Sequence, residues 1–365
     1  MSTEHLSISW YRTPVPRETM QVLLAKSDWW AWWQTGGFLG ILLVTGTCTV
    51  WAAHAHGWLL FALGLFAHGT CMAFLINAVH ELGHQSVFRS RGLNRFFCAF
   101  FAFFGWINHL IFSESHARHH RYTLHRPHDL EVTLPSLPRW RDFWRSGFIH
   151  YELPLELLRF ARVAVSGKLF NGAWQERCFP ESATAQRRAA VGWARTIVGG
   201  HLLIGTVACW YGWWAIPLVV SLHGLTGKWL FWLCNNTQHC GLQDEVNDAR
   251  LCCRSFTVNG VVSFLYWHMN FHTEHHMFAA VPCYRLGHLH RTIVHDLPPT
   301  PNGLVATWRE IMTIARRQRA DPTYCFKACL PVAGGPVAGG AAVEPIPDQL
   351  RSRPDRGFQP IPVSQ

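Results

Sequence analysis

Long apolar runs alternate along the chain with basic, proline-containing or histidine-rich stretches. Gly36 to about Ala53 and Trp58 to about Asn77 are two such runs, each near the ~20 residues a helix needs to cross a hydrocarbon core. A third, Phe96 to Phe112, is interrupted by Gly105, Asn108 and His109. Thr196 to Trp210 and Trp214 to Leu233 form another pair, whereas Val258 to Trp267 is too short to span. The pattern predicts an all-α integral membrane protein with four transmembrane helices in two hairpins.

Charge sets the expected orientation. No Lys or Arg occurs between Gly36 and Gln85, or between Thr196 and Gly227. The hairpin turns Ala53-His54-Ala55-His56-Gly57 and Tyr211-Gly212-Trp213 therefore face outward, with both termini in the cytoplasm. A crossing by Phe96–Phe112 would send the Arg-rich middle segment outward, so this run is expected to be a buried re-entrant or interfacial helix. Residues 126–190, with Pro127, Pro135 and Pro138, read as a partly helical cytoplasmic section. Residues 1–35 read as a cytoplasmic segment ending in the interfacial cluster Trp29, Trp30, Trp32 and Trp33. They lack the apolar core of a signal peptide, so insertion falls to the internal spans. Residues 36–330 form the membrane and catalytic domain, and the Pro/Gly-rich 331–365 a disordered tail.

Composition agrees: 49% of residues are apolar and 15% charged, with 19 Trp and 24 Phe, against about a quarter charged in soluble domains. The net charge of +10 would suit nucleic acid, but the apolar spans argue against that partner. Anionic headgroups and an acidic electron carrier are expected instead. The 12 cysteines show no CxxC pairing or CxxCH haem site, so they are expected to be reduced and to serve packing.

Histidines carry the chemistry. His80 and His84 stand four apart, His116-Ala117-Arg118-His119-His120 and His272-Thr273-Glu274-His275-His276 repeat H-x-x-H-H, and Asn235 precedes His239 by four. On a helix these spacings stack the rings on one face. With 23 histidines in 365 residues, about 0.1 chance matches to H-x-x-H-H are expected, so two matches are not coincidence. Imidazole suits zinc, iron, copper and nickel. One tetrahedral zinc takes four ligands, whereas two metals with four or five nitrogens each would use all nine. A redox metal such as iron would then activate oxygen. On the proposed topology all nine lie on one side of the membrane.

In its order of H-x-x-x-H, H-x-x-H-H and H-x-x-H-H around two hairpins, the chain resembles the membrane fatty-acid desaturase superfamily over roughly residues 36–295. The stretch His268 to Phe278 is similar to the third histidine box of that family. Arg121 to Glu131 is similar to the segment after its second box. Asn235 and His239 match a later element in which the histidine is a ligand and the asparagine reaches a metal through water. The resemblance implies a non-haem diiron oxidoreductase with a cytoplasmic helical cap, using O2 and two electrons from a separate donor, cytochrome b5 or ferredoxin with its reductase. Two iron ions would be held by His80, His84, His116, His119, His120, His239, His272, His275 and His276, undivided between the metals by the sequence. Glu81, Asp129, Glu131 and Glu274 are candidate acceptors behind the rings. The implied reaction is introduction of a double bond into a fatty acyl chain or lipid. The endoplasmic reticulum would be the location in a eukaryote, the inner membrane in a bacterium.

Three competitors stand beside this reading. The same scaffold also hosts hydroxylases, and enzymes acting on apolar specialised metabolites. His80-Glu81-Leu82-Gly83-His84 is also a literal H-E-x-x-H, the signature of a zinc metalloprotease, though that leaves the other histidine groups unexplained. A histidine-rich metal transporter would bind near the bilayer midplane, not at helix ends. His125, His128 and His268 are secondary ligand candidates. His54, His56, His68, His109, His201 and His223 lie at the wrong side or depth, and His288, His290 and His295 are read as packing or surface residues. Arg118, Arg121, Arg126 and Arg141 are candidates for docking the electron donor or an anionic headgroup.

Overall fold

Apolar side chains all round a helix leave it no preferred aqueous face, so the first two apolar runs form long helices that pair with each other. The computed structural model of the chain describes residues 7–129, 131–132, 139–169 and 173–331. Pro135, Pro138 and all but the first residue of the 331–365 tail lie outside them. A short helix α1 (Arg17–Leu24) precedes α2 (Asp28–His54), whose 27 residues extend about 40 Å at 1.5 Å per residue. After a tight turn, α3 (Trp58–Met72) and α4 (Leu75–Gly83) run back as one 26-residue apolar segment with a step at Ala73–Phe74. Both α2 and Trp58–Gly83 are long and apolar enough to cross a membrane. Trp29 and Trp33 stand exposed at the start of α2, where amphipathic rings suit an interface.

The third apolar run is two helices. α5 (Arg91–Phe104) and α6 (His109–Tyr122) meet at 111° across a four-residue break, forming a broken span or a re-entrant loop. Hydrogen bonds tie the break to residues further along the chain: Trp193 Nε1 donates to the Ile107 carbonyl (2.9 Å), while from the break Trp106 Nε1 donates to the Ser221 carbonyl (2.8 Å) and Asn108 Nδ2 to the Ala190 carbonyl (2.8 Å). The bend brings His116 back against His80, ring centroids 4.1 Å apart.

The middle section contains α7 (Trp140–Phe143), a π-helical turn (Trp144–Phe148), α8 (Leu153–Ser166) and α9 (Ala173–Cys178). α10 (Thr184–Trp210) starts 12 residues before the apolar run it carries. The run Trp214–Leu233, expected as one continuous helix, is instead α11 (Ala215–Val220), a 3-10 turn (His223–Leu225) and α12 (Trp229–Asn235). The cause is local. Ser221, Gly224, Thr226 and Gly227 are weak helix formers, and Gly227 sits at φ +82, a conformation that costs glycine little. The loosened strand of chain is stitched down by Thr226 Oγ1 to the Leu65 carbonyl (3.2 Å) and by the His150 amide to Leu225 (2.7 Å). Among the described residues two helices are thus long and apolar enough to span, or three if the bent pair counts as one.

Beyond α12 come α13 (Ala249–Cys252), α14 (Gly260–Leu265), α15 (His272–Met277), α16 (Leu286–Ile293) and α17 (Gly303–Ala320). Among the described residues there is no strand, only isolated bridges such as Ser255–Phe271. No disulfide joins any of the 12 cysteines. The N-terminal segment is not a loose lead-in. Trp10 Nε1 donates to the Arg121 carbonyl (3.0 Å), Thr13 Oγ1 to Asp296 (2.6 Å) and Lys26 Nζ to Gln85 (2.6 Å), tying residues 10–26 across the histidine-bearing end of the helices.

A methyl at Gly69 would clash with the Thr226 carbonyl, and one at Gly227 would sit 2.5 Å from Phe66 O, whereas Gly40 in α2 faces open space. Gly69→Ala and Gly227→Ala should each cost at least about 2 kcal/mol, seen as a lower unfolding temperature in detergent micelles. Gly40→Ala should be neutral or stabilising by up to ~1 kcal/mol.

Candidate metal centre

Four segments deliver imidazoles to one place. The C-terminal turn of α4 supplies His80 and the residue after it, His84; α6 supplies His116, His119 and His120; the loop after α12 supplies His239; α15 supplies His272, His275 and His276. Their nitrogens fall into two groups, each able to hold a metal ion, with ligand atoms within 4.8 Å of one another. One contains His80, His84, His116, His120 and His275, the other His119, His239, His272 and His276.

The grouping follows from helix geometry. Residues four apart differ by only about 40° around a helix, whereas a residue three on points to the other side of that pair's direction. On α6 the pair His116 and His120 goes to the first group and His119 to the second. On α15 the pair His272 and His276 goes to the second and His275 to the first. Each H-x-x-H-H helix thus serves both groups, in opposite proportion. The groups touch: His120 and His276 stack with centroids 4.4 Å apart.

Outer partners hold the rings by Nδ1. His80 Nδ1 lies 2.9 Å from Glu81 Oε1, and His275 Nδ1 is 3.5 Å from the same oxygen. His116 Nδ1 is 3.0 Å from Glu131 Oε1, whose other oxygen accepts from Ser115 (2.6 Å). His119 Nδ1 is 2.8 Å from Asp129 Oδ2. His239 Nδ1 donates to the Cys252 carbonyl (2.8 Å), and His276 Nδ1 lies 3.2 Å from Thr123 Oγ1. Where Nδ1–H is committed outward the Nε2 lone pair points inward, while the buried Nδ1 atoms of His272 and His275 have no hydrogen-bond partner. Inside, Nε2 atoms face each other at 2.9 Å (His116–His120), 3.0 Å (His239–His272) and 3.1 Å (His120–His275), and the buried Nε2 atoms of His84 and His276 have no hydrogen-bond partner. Converging neutral nitrogens of this kind fit borderline transition-metal ions.

Electrostatics keep the ligands ready. Burial, reinforced by neighbouring imidazoles, holds His272, His275 and His276 well below the ordinary histidine range and takes His239 down to about 3, so these rings are neutral at pH 7. Burial pushes the Asp129 carboxyl up, but the hydrogen bond from His119 and the amides of Leu124 and Glu131 outweigh it and hold the group below its usual value. Glu131 is raised by burial.

Three of the four expected acids, Glu81, Asp129 and Glu131, stand behind grouped rings. Glu274 does not: it accepts from Ser255 and from His290, so His290 is a buttress of the third box rather than a surface residue. Ser255 Oγ in turn accepts from the Thr273 amide (3.0 Å). Arg254, reaching the carbonyls of Thr237 (2.7 Å) and Cys240 (2.9 Å), pins the loop that carries His239. Nothing in the sequence near 80, 116 or 272 signals Thr123, Cys252, Ser255 or Arg254. His125 bonds Thr123 and Asn247, and His268 bonds Ser263. Like His128, which packs on Tyr122, they stay outside both groups. Asn235 closes α12, half-buried, one turn before His239.

A sequence model of a protein family described as "Fatty acid desaturase" matches residues 56–308, a stretch containing all nine grouped histidines. Among curated proteins, none matches the chain.

Removing an acceptor behind a ligand typically weakens a metal site 10–100-fold. Asp129→Ala should do so here, measured as metal retained per chain during dialysis against graded chelator. Arg118→Ala, which removes an ion pair to Glu114 (3.1 Å) with both side chains partly exposed, should leave retention unchanged.

Proposed function

The chain belongs to the fatty acid desaturase family, and from that premise we propose that it is an O2-dependent membrane oxidoreductase with two irons that introduces a double bond into a fatty acyl chain or lipid. The observation that carries this reading is the division of nine histidines into adjacent groups of five and four. A pair of irons held there supplies dioxygen reduction and cleavage of unactivated C–H bonds. His80, His84, His116, His120 and His275 would hold one ion and His119, His239, His272 and His276 the other, with Asn235 placed to reach it through water. The four-residue step from Asn235 to His239 parallels that from His80 to His84 and supports this assignment.

The protein's own contribution is placement and exclusion. Glu81, Asp129 and Glu131 fix the ring orientations. Phe112 lies flat on His116, centroids 5.3 Å apart at 5°, and shields that side from water. Whether a second hydrogen is lost or a hydroxyl is added depends on sub-ångström positioning of the substrate carbon. The zinc-protease reading is disfavoured by Glu81, which is fully buried behind His80 and His275 and so is turned away from where a general base would act. On this reading a separate carrier supplies the electrons. Arg118, Arg121, Arg126 and Arg141 are offered as its docking residues.

For topology we propose two hairpins, the second formed by α10 and the interrupted α11–α12 segment, with the histidines and both termini cytoplasmic. Tags after His56 and after Gly212 should report the outer side or lumen, and tags at either terminus or near Pro135 the cytoplasm. An external signal near Pro135 would sink this arrangement.

Protein purified from iron-replete cells should contain about two irons per chain, and a single tight zinc without iron would overturn the diiron assignment. His119→Ala and His275→Ala should each abolish turnover and lower iron occupancy. Expression in a host with a compatible electron donor, followed by mass analysis of its lipids, should give a product lighter by two hydrogens. A product heavier by one oxygen and dependent on His119 would make the protein a hydroxylase.

A further inference from the structure

The sequence places residues 140–166 in a polar section, yet they expose large apolar side chains. Trp144, Ile149 and Leu158 are 62%, 63% and 65% exposed, and Leu155 and Val165 are exposed too. On α8, Leu155, Leu158 and Val165 fall within about 80° of one another around the helix. A contiguous apolar patch of this kind marks a surface with a partner.

Contacts with α3 fix its depth. Phe148 stacks on Phe66, centroids 5.8 Å apart at 23°. Ile149 forms an antiparallel bridge with Thr226, whose Oγ1 donates to the Leu65 carbonyl at 3.2 Å. The His150 amide donates to the Leu225 carbonyl (2.7 Å). In the apolar segment Trp58–Gly83, Phe66 stands about 12 Å from Trp58 and about 25 Å from Gly83 at 1.5 Å per residue. With a hydrocarbon core of about 30 Å, Phe66 lies more than halfway across from the end that carries His80 and His84. Leu59 and Leu63 are exposed on the same face of α3, so its apolar outer surface continues onto Phe148 and Ile149.

On both sides of this low point the chain stands nearer the histidine end. Before it, Trp140 packs on Trp308 of α17 and Trp232 of α12, centroids 5.7 Å and 6.5 Å away. After it, the Ala164 carbonyl of α8 accepts from Arg195 Nε at 2.9 Å. Arg195 is the last basic residue before the apolar run of α10 and stands about 22 Å from Trp210 at the far end of that helix.

Charge agrees with this depth. Lys228 Nζ lies 2.9 Å from His150 Nδ1, and His150 Nε2 lies 3.5 Å from Glu156 Oε1. Arg145 covers the Tyr151 ring at 4.4 Å, and the Tyr151 hydroxyl donates to Glu152 at 2.9 Å. Both carboxylates act on Lys228. Lys228 and Arg145 thus stand against Glu152 and Glu156, paired as ionisable groups within a bilayer are. Arg159 and Arg162 come later on α8, where long side chains can reach up to the headgroups.

We propose that residues 140–166 form a re-entrant hairpin, reaching past mid-bilayer at Phe148–His150 and presenting Trp144, Ile149, Leu155 and Leu158 to the acyl chains of bilayer lipids. The proposal rests on the membrane crossing of the α2–α4 hairpin and is independent of the reaction. The segment enters and leaves by one face, so the expected tag signal near Pro135 is unchanged.

The test uses full-length protein in phosphatidylcholine vesicles carrying one of two photoreactive phosphatidylcholines. One bears a diazirine near the end of an acyl chain, the other beside the glycerol, and labelled residues are mapped by mass spectrometry. Val44 on α2, 63% exposed, is the lipid-facing reference, and Val305 on α17, 66% exposed, the aqueous one. The deep probe should label Ile149 and Leu155 as it labels Val44, Val165 should favour the shallow probe, and Val305 should take neither. Hydroxyl radicals generated in the water should mark Val305, with loss of that mark at Ile149, Leu155 and Leu158. Labelling of these three by hydroxyl radicals, or by the shallow probe alone, overturns the re-entrant hairpin and leaves α2–α4 in the membrane. Protection from both reagents, as a second copy seated on this face would give, overturns it too. Absence of deep label at Val44 overturns the crossing of α2–α4 as well.

Discussion

Bringing nine imidazoles together in a buried space is the constraint on which the rest of the structure depends. His80, His116, His119, His239 and His276 set Nδ1 against an acceptor in a region with little water and leave Nε2 to face inward, whereas the buried Nδ1 atoms of His272 and His275 have no hydrogen-bond partner. The chain meets this with an outer layer of acceptors: Glu81, Glu131 and Asp129 for rings on α4, α6 and α15, and a main-chain carbonyl at Cys252 for His239. Reciprocal sharing of α6 and α15 between the two groups means that neither can form without the other, and a slip of one residue in either helix would misdirect all three of its rings.

The same requirement explains the interrupted helices. A straight α5–α6 would carry His116, His119 and His120 away from His80. The 111° bend returns them, and indoles from Trp106 and Trp193 satisfy backbone groups around it. The break between α11 and α12 is supported by α3 and by the His150–Leu225 bond.

Outside the metal-facing layer, ionic contacts lock distant segments together. Arg250 pairs with Asp248 at 2.8 Å and Asp296 at 2.5 Å and stacks over Tyr11 at 3.7 Å. Tyr11 and Thr13 both donate to Asp296, and Trp10 meets His125 edge-on. The N-terminal strap, the segment after the second histidine box and the turn after α16 are thereby held as one surface over the histidines, where loose loops would otherwise let water reach the rings.

The identities of the grouped histidines were legible in the sequence because spacing of three and four residues is a local property that any helix converts into a shared face. The two long spans and the turning of the Phe96–Phe112 run were legible too, since apolar length and the helix-weakening Gly105 and Asn108 act within a few residues. The division into groups of five and four was not, because it depends on how α6 and α15 face each other across more than 150 residues of chain. Trp214–Leu233 looked continuous because apolar character hides a backbone break, which the contact of Gly227 with α3 settles. Glu274, expected behind a ligand ring, turned to His290 and Ser255, since a carboxylate takes whichever donors the packed structure brings within reach. Side-chain chemistry and local periodicity thus marked out the histidines, and long-range packing alone decided which of them meet.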